Sequence, residues 1–273
     1  MEKTGEIKKV FLTGSSGFIG KWVAEKLLRE GITICGFDCR ENPYDALRPH
    51  CVVDDLLDRD RLIQSMRDFS PDAVIHLAAR CDLEGESLAD YDANISGVRN
   101  LCQAVRETPS VKRAIYTSSQ LVCEVGHVPE SDQEYCPNTI YGESKVRTEE
   151  IVREEDGGGI EWCLTRPTTV WGPHMGPHYQ SLLRHIRKGT YFHSGSGQLY
   201  KSYAYAENIA HQYVRLLTAP SEAIHQQVFY LADYEPLSLR DYANELALAM
   251  QAKQPSTVPL PLAKVLALGG DVL

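Results

Sequence analysis

The chain lacks any apolar run long enough to cross a bilayer, and its aromatic content is modest, with 3 Trp and 6 Phe in 273 residues. A spanning helix needs about 20 consecutive apolar residues, so no membrane role is expected. Basic residues are the scarcer charge: 28 Lys and Arg stand against 37 Asp and Glu, a formal net charge of -9. A surface that holds nucleic acid needs the opposite balance, so nucleic acid is not expected as a partner either. Residues Met1 to Lys9 are polar and lack the apolar core of a signal peptide. Cysteine is plentiful but unpatterned. Cys35, Cys39, Cys51, Cys81, Cys102, Cys123, Cys136 and Cys163 show no metal-finger spacing, so reduced thiols, no metal and a cytoplasmic location are expected. The remaining composition, 43% hydrophobic and 24% charged, is that of a globular chain able to bury a core without staples.

What is present starts near the N-terminus. Val10-Phe11-Leu12 reads as a strand and runs into Thr13-Gly14-Ser15-Ser16-Gly17-Phe18-Ile19-Gly20. A helical pattern follows, with Trp22, Val23, Ala24, Leu27 and Leu28 apolar, and then a second apolar run, Ile32 to Phe37, ending at Asp38. Strand, glycine turn, helix, strand and acid form the dinucleotide-binding order. Gly14 permits the turn, Gly17 lets the backbone approach a pyrophosphate, and Gly20 lets the helix pack close to the strand. The helix N-terminus offers N–H groups and partial positive charge to the phosphates. Asp38 can accept hydrogen bonds from both ribose hydroxyls of NAD and would repel a 2′-phosphate, while Arg40, two residues on, could attract one.

The alternation continues. His50–Val53 is a short strand leading to Asp54-Asp55-Leu56, Arg59–Asp68 is helical, and Ala73 to Leu77 is a buried strand ending in Ala78-Ala79. Asp90–Glu107 has helical period, Val111–Tyr116 is a strand running into Thr117-Ser118-Ser119, and a polar segment to Asn138 precedes a helix from Tyr141 to about Glu155. This rhythm predicts an α/β fold, a doubly wound parallel (Rossmann) sheet. Gly14, Asp38, Asp55, Ala78 and Ser119 all fall at predicted strand ends and should converge on one crevice. Residues 1–165 form the expected NAD-binding domain with the Tyr/Lys helix. Residues 166–273 form a smaller α/β substrate-binding portion interleaved with it.

Within Tyr141-Gly142-Glu143-Ser144-Lys145, the tyrosine and lysine stand one helical turn apart on the same face. A phenol is a poor base at neutral pH, and an ammonium one turn away favours its phenolate. Lowering the phenol pKa by roughly three units takes about 4 kcal/mol, which needs a cationic cofactor or partial burial as well.

With these residues in view, the chain resembles the extended short-chain dehydrogenase/reductase family, in its NAD-dependent epimerase/dehydratase branch. The landmarks run through nearly the whole chain: the TGSSGFIG turn, Asp38, Asp55-Leu56, His76-Leu77-Ala78-Ala79, Asn94 with Gly97 and Asn100, Tyr116 to Ser119, Tyr141 to Lys145, Arg166-Pro167, Gly172-Pro173 and Tyr203 to Asn208. The resemblance implies NAD as cofactor, held by Gly14, Ser16, Gly17, Phe18, Ile19, Gly20, Asp38, Asp55, Leu56, Leu77, Ala78, Ala79, Arg80, Asn94, Tyr141, Lys145 and Pro167. It implies Ser119, Tyr141 and Lys145 as catalytic residues. Ser119 would hold the substrate oxygen, Tyr141 would remove its proton, and Lys145 would bind the nicotinamide ribose, so that a ketone forms as hydride leaves the alcohol carbon. Substrate contacts are expected from Ser119, Gln120, Thr169 and Lys201. Lys201 falls where sugar-nucleotide enzymes usually place an arginine, and a lysine supplies the charge without the bidentate fork. Thr168-Thr169 replaces the asparagine that epimerases commonly carry there. His174, His178, Tyr179, Arg184 and His185 either line a pocket or form a solvated helix face.

Sugar 4,6-dehydratases of this family carry an Asp-Glu pair directly after the active hydroxyl residue. Here Gln120-Leu121 follow Ser119, and neither side chain transfers a proton. The expected activity is therefore that of an NAD-dependent nucleotide-sugar epimerase in polysaccharide biosynthesis. The alternatives are an NAD-dependent dehydrogenase or reductase of a secondary alcohol, of sugar or hydroxysteroid type, and, behind it, a nucleotide-sugar dehydratase or a non-catalytic NAD-binding sensor. Related enzymes pair through the helix before Ser119 and the Tyr141 helix, which makes a homodimer the expectation. Ile140, Val146 and Ile151 either contribute to that seam or face the sheet. Relatives usually continue past the position of Leu273, and Val265 to Leu268 reads as an apolar helix.

Overall fold

The structure is a computed structural model and describes residues 7–233 and 235–263, with His178 described by its backbone alone. The expected Val265–Leu268 helix lies outside the described residues. The first half alternates as the sequence predicts: β1 (Lys9–Thr13), α1 (Phe18–Arg29), β2 (Thr33–Asp38), β3 (Cys51–Val53), α2 (Arg59–Phe69), β4 (Ala73–His76), α3 (Asp92–Arg106), β5 (Arg113–Thr117), α4 (Ile140–Glu154) and β6 (Glu161–Pro167). There follow β7 (Thr169–Trp171), α5 (Pro177–Arg187), β8 (Phe192–Ser194), β9 (Tyr200–Lys201), β10 (Tyr203–Tyr205), α6 (Ala206–Thr218), α7 (Ser221–Ile224), β11 (Val228–Leu231), β12 (Leu237–Ser238), α8 (Leu239–Ala249) and β13 (Ser256–Val258).

The main sheet has seven strands in the order β3-β2-β1-β4-β5-β6-β11, every neighbouring pair parallel. Every residue of β4 and β5 is buried, which fits a parallel sheet covered by helices on both faces. β1 leads outward to β2 and β3 on one side, and β4, β5, β6 and β11 extend the other. The direction of winding reverses between β1 and β4, where doubly wound sheets open a ligand crevice at the carboxyl ends of the strands. Under the sheet, Phe11, Leu62, Met66, Val98, Leu101 and Trp162 belong to one buried cluster. Ile151 is in that same cluster and Val146 is 8% exposed, so both turn inward from α4, while Ile140 is half-buried.

The described residues fold into two compact units, residues 7–168 with 205–231, and residues 169–204 with 232–233 and 235–263. The second is built from short strand pairs, β10 with β7, β12 with β9 and β13 with β8, and from α5 and α8. Its core is small, with Ile186, Ala243 and Ala247 buried and Leu182, Leu246 and Met250 packed around them. Ser238 caps α8, its hydroxyl accepting from the Asp241 N–H at 3.0 Å.

Candidate active site

The turn after β1 is shaped by close approach. Gly14 has φ +73°, and a Cβ there would lie 2.5 Å from the backbone nitrogen of Ala78. A Cβ on Gly20 would lie 2.0 Å from the Gly14 carbonyl oxygen, so α1 can start against the turn only through a glycine. Phe18 and Ile19 open α1, partly exposed at its N-terminus. Asp38 ends β2, is 7% exposed, and accepts from the Ser16 N–H at 3.0 Å and the Arg40 N–H at 3.1 Å. Its carboxylate is thus aimed into the turn. The Arg40 side chain is mostly exposed, its Nε 4.0 Å from Asp38.

On the next strand ends, Asp55 is exposed and accepts from the Leu57 N–H at 2.9 Å, while Leu56 is buried against Gly97. Leu77, Ala78 and Ala79 follow β4, half-buried, and the Ala78 N–H donates to the Thr13 hydroxyl at 3.2 Å. That hydroxyl also meets His76 Nδ1 at 2.7 Å. Burial, and then the charge of Lys145, lowers the His76 pKa to about 3.

Asn94 is fully buried and ties three elements together. Its side chain accepts from the Arg80 N–H at 2.9 Å and donates to the Arg80 carbonyl at 3.0 Å and to the Ser144 hydroxyl at 2.9 Å. The Ser144 hydroxyl donates in turn to the Tyr141 carbonyl at 2.7 Å, and the Thr148 hydroxyl to the Asn94 carbonyl at 2.7 Å. α4 is thereby fastened to α3 and to the chain beyond β4.

Thr139 caps α4, accepting from the Gly142 N–H at 3.0 Å, and so sets the first turn from which Tyr141 projects. The half-buried Tyr141 ring stands 6.1 Å from that of Tyr91. Lys145 is 2% exposed and donates to the Thr117 carbonyl oxygen at 2.7 Å. Burial lowers its pKa to about 8, against the smaller upward pull of Cys81 and Glu149. Ser119 is 8% exposed and accepts from the Leu121 N–H at 3.1 Å, capping the short 3-10 turn Gln120–Val122. A Cβ on Gly142 would lie 2.3 Å from the Leu121 carbonyl oxygen, so this turn lies directly against the start of α4. The Ser119 segment, Tyr141 and Lys145 are brought to one end of the sheet.

Sequence reasoning missed Glu149, at the same helical spacing beyond Lys145 as Lys145 is beyond Tyr141. It forms a fully buried ion pair with Arg166, Nε to Oε1 at 2.8 Å and Nη2 to Oε2 at 2.8 Å. The next residue, Pro167, ends β6 and is buried. In the second unit, Thr169 is 3% exposed on β7, and burial lowers the pKa of Lys201 on β9. His185 Nδ1 meets the Thr190 hydroxyl at 2.9 Å on the polar side of α5. A cavity of about 310 Å³ in this unit is lined by Trp171, Tyr203, Asp233, Glu235, Tyr242 and Glu245, among others, with the Tyr203 and Tyr242 rings stacked at 3.9 Å. Tyr242 carries no motif, so only packing brings it there.

A parallel sheet of this winding, with a glycine turn at its switch point and an acid closing β2, defines a doubly wound Rossmann-type protein. Residues 10–232 match the NAD dependent epimerase/dehydratase family, and the chain belongs to it. It is 31% identical over 93% of its length, and over 76% of the relative, to an N-acetyl-alpha-D-glucosaminyl-diphospho-ditrans,octacis-undecaprenol 4-epimerase of Escherichia coli O157:H7. It is also 25% identical to a 3-beta-hydroxysteroid dehydrogenase of Mycolicibacterium neoaurum, over 92% of this chain and 72% of that one. In fold it resembles the Thermus thermophilus UDP-glucose 4-epimerase complexed with NAD, with TM-score 0.74 and 23% identity, covering 96% of this chain and 93% of that one.

Proposed function

We propose that the protein is an NAD-dependent epimerase of a sugar carried on a nucleoside diphosphate. The observation that carries this reading is Lys145, buried against the Thr117 carbonyl one helical turn from Tyr141, with the Ser119 segment lying against the same helix start. The cradle formed by Gly14, Gly17 and Gly20 suits the backbone approach of a dinucleotide, and Asp38, already oriented by Ser16 and Arg40, suits ribose hydroxyls. Ser16, Phe18, Ile19, Asp55, Leu56, Leu77, Ala78, Ala79, Arg80, Asn94 and Pro167 complete the cofactor set. Held by these residues, NAD would supply reversible hydride acceptance at the sugar carbon.

The chain's own residues handle the proton. Tyr141 takes it from the sugar hydroxyl and gives it back, Ser119 holds the oxygen, and Lys145 supplies positive charge that favours the phenolate. Gln120 and Leu121 offer no acid or base for elimination, which sets the activity apart from dehydration. Lys201 and Thr169 are assigned to the substrate, Lys201 to its diphosphate, a group also present in the name of the Escherichia coli relative. Among the described residues no helix is long and apolar enough to cross a membrane. A cytoplasmic homodimer working in polysaccharide biosynthesis completes the reading, and light scattering tests the dimer.

The deciding experiment is an NMR time course with UDP-, GDP- and dTDP-sugars and no added cofactor. Epimer formation without net NADH is expected. NADH accumulating from a secondary alcohol when NAD⁺ is added would instead place the protein with the dehydrogenases, a reading favoured by its similarity to the hydroxysteroid enzyme.

A further inference from the structure

The loop between Ser119 and Tyr141 holds a side-chain cluster that the proposed reaction does not use. Cys123 Sγ, Cys136 Sγ and a ring nitrogen of His127 all lie within 4.8 Å of one another. The backbone builds this proximity. Cys123 and Cys136 form a parallel bridge, with the Glu124 N–H donating to the Cys136 carbonyl at 3.0 Å and the Cys136 N–H to the Val122 carbonyl at 3.0 Å. A turn closed by the His127 N–H on the Glu124 carbonyl, at 3.2 Å, carries the imidazole back toward the two sulfurs.

We propose that Cys123, His127 and Cys136 form a site for a thiophilic divalent cation of the zinc type. Two sulfurs and an imidazole nitrogen are the donor set zinc selects and magnesium or calcium avoids. Zn–S bonds of ~2.3 Å and Zn–N bonds of ~2.0 Å put ligand atoms roughly 3.5–3.8 Å apart, so side-chain shifts of about 1 Å close the site. The surroundings also fit. Glu134 Oε1 engages His127 Nε2 at 2.7 Å, and its Oε2 accepts from the Glu130 N–H at 2.6 Å, so a held carboxylate orients the imidazole as outer partners of metal-bound histidines do. The Cys123 thiol donates to the Glu134 carbonyl at 3.2 Å, and that proton is the one a metal replaces. Cys123 is buried, Cys136 half-buried and His127 exposed, leaving a solvent side for water as a fourth ligand.

The spacing C-x3-H-x8-C is unlike that of a zinc finger, and all three ligands come from one loop. The loop's ends are Ser119 and Tyr141, so a bound cation would staple the segment between them without touching the reacting atoms.

The test uses the full chain, reduced, stripped with EDTA and titrated with Co²⁺ without oxygen. The expected result is one Co²⁺ per chain with a thiolate-to-cobalt charge-transfer band and tetrahedral d–d absorption, both removed by Zn²⁺. Cys123→Ser and Cys136→Ser should each lose the band, while Cys39→Ser and Cys81→Ser, at exposed cysteines, should keep it. Glu134→Gln, which keeps the side chain's size and removes its charge, is expected to weaken Co²⁺ binding roughly ten- to hundredfold. Absence of the band in the wild type, its survival in Cys123→Ser or Cys136→Ser, or recovery of a Cys123–Cys136 disulfide from unreduced protein overturns the proposal.

Discussion

Lys145 Nζ donates to the carbonyl oxygen of Thr117 at 2.7 Å, joining the middle of α4 to the last residue of β5, two positions before Ser119. One hydrogen bond thus references the lysine to the strand that delivers the serine. The cost is desolvation of an ammonium, visible in a pKa lowered to about 8 by burial.

That cost has a pH signature. Below about pH 8 both the folded and the unfolded chain hold the Lys145 proton, and the folded state bears the full penalty. Between about 8 and the ordinary lysine value of 10.5, the folded state releases the proton first and the penalty fades. The gap corresponds to about 3 kcal/mol. Measured against Lys145→Met, wild-type stability in urea should therefore gain up to about 3 kcal/mol as pH rises through this window. A constant difference between the two proteins would show that the lysine is not desolvated.

Tyr141→Phe keeps the ring, its packing beside Tyr91 and the helix, and removes only the hydroxyl. Turnover should vanish while NAD binding, followed by fluorescence quenching, stays nearly unchanged. Activity surviving in this variant would end the proton-transfer assignment.

The glycine turn should show a steric order. A Cβ at position 20 meets the Gly14 carbonyl at 2.0 Å, whereas one at position 17 comes no closer than 3.2 Å to the same atom. Gly20→Ala should consequently cost more stability than Gly17→Ala, while both weaken NAD binding. Calorimetric melting of the two variants measures the order, and equal melting temperatures would contradict it.

Glu149 and Arg166 are both 0% exposed. Removing one partner strands a buried charge, so Glu149→Leu or Arg166→Met alone should lose roughly 3–5 kcal/mol. The double change Glu149→Leu with Arg166→Met should recover a large part of that loss, because no charge remains to be desolvated. A double-mutant cycle by urea unfolding gives the coupling, and additive effects would mean that the pair is not energetically linked.

The sequence by itself determined the alternation of strands and helices, the glycine turn, Asp38 at the end of β2 and the Tyr141–Lys145 pair. Each of these follows from local rules: side-chain period, the steric demands of a tight turn, and the spacing of one helical turn. The tertiary structure decided the partners. Which carbonyl receives Lys145, that Glu149 finds Arg166, that Thr13 meets His76, and that Cys123 and Cys136 meet across a loop all depend on strand order and loop closure between residues far apart in the chain. Ile151 shows the same division, for its helical spacing was compatible with a dimer seam or with the sheet, and packing placed it in the core. Local patterns carry backbone geometry, whereas burial and charge pairing are set by contacts between distant segments, and those contacts exist only once the chain has folded.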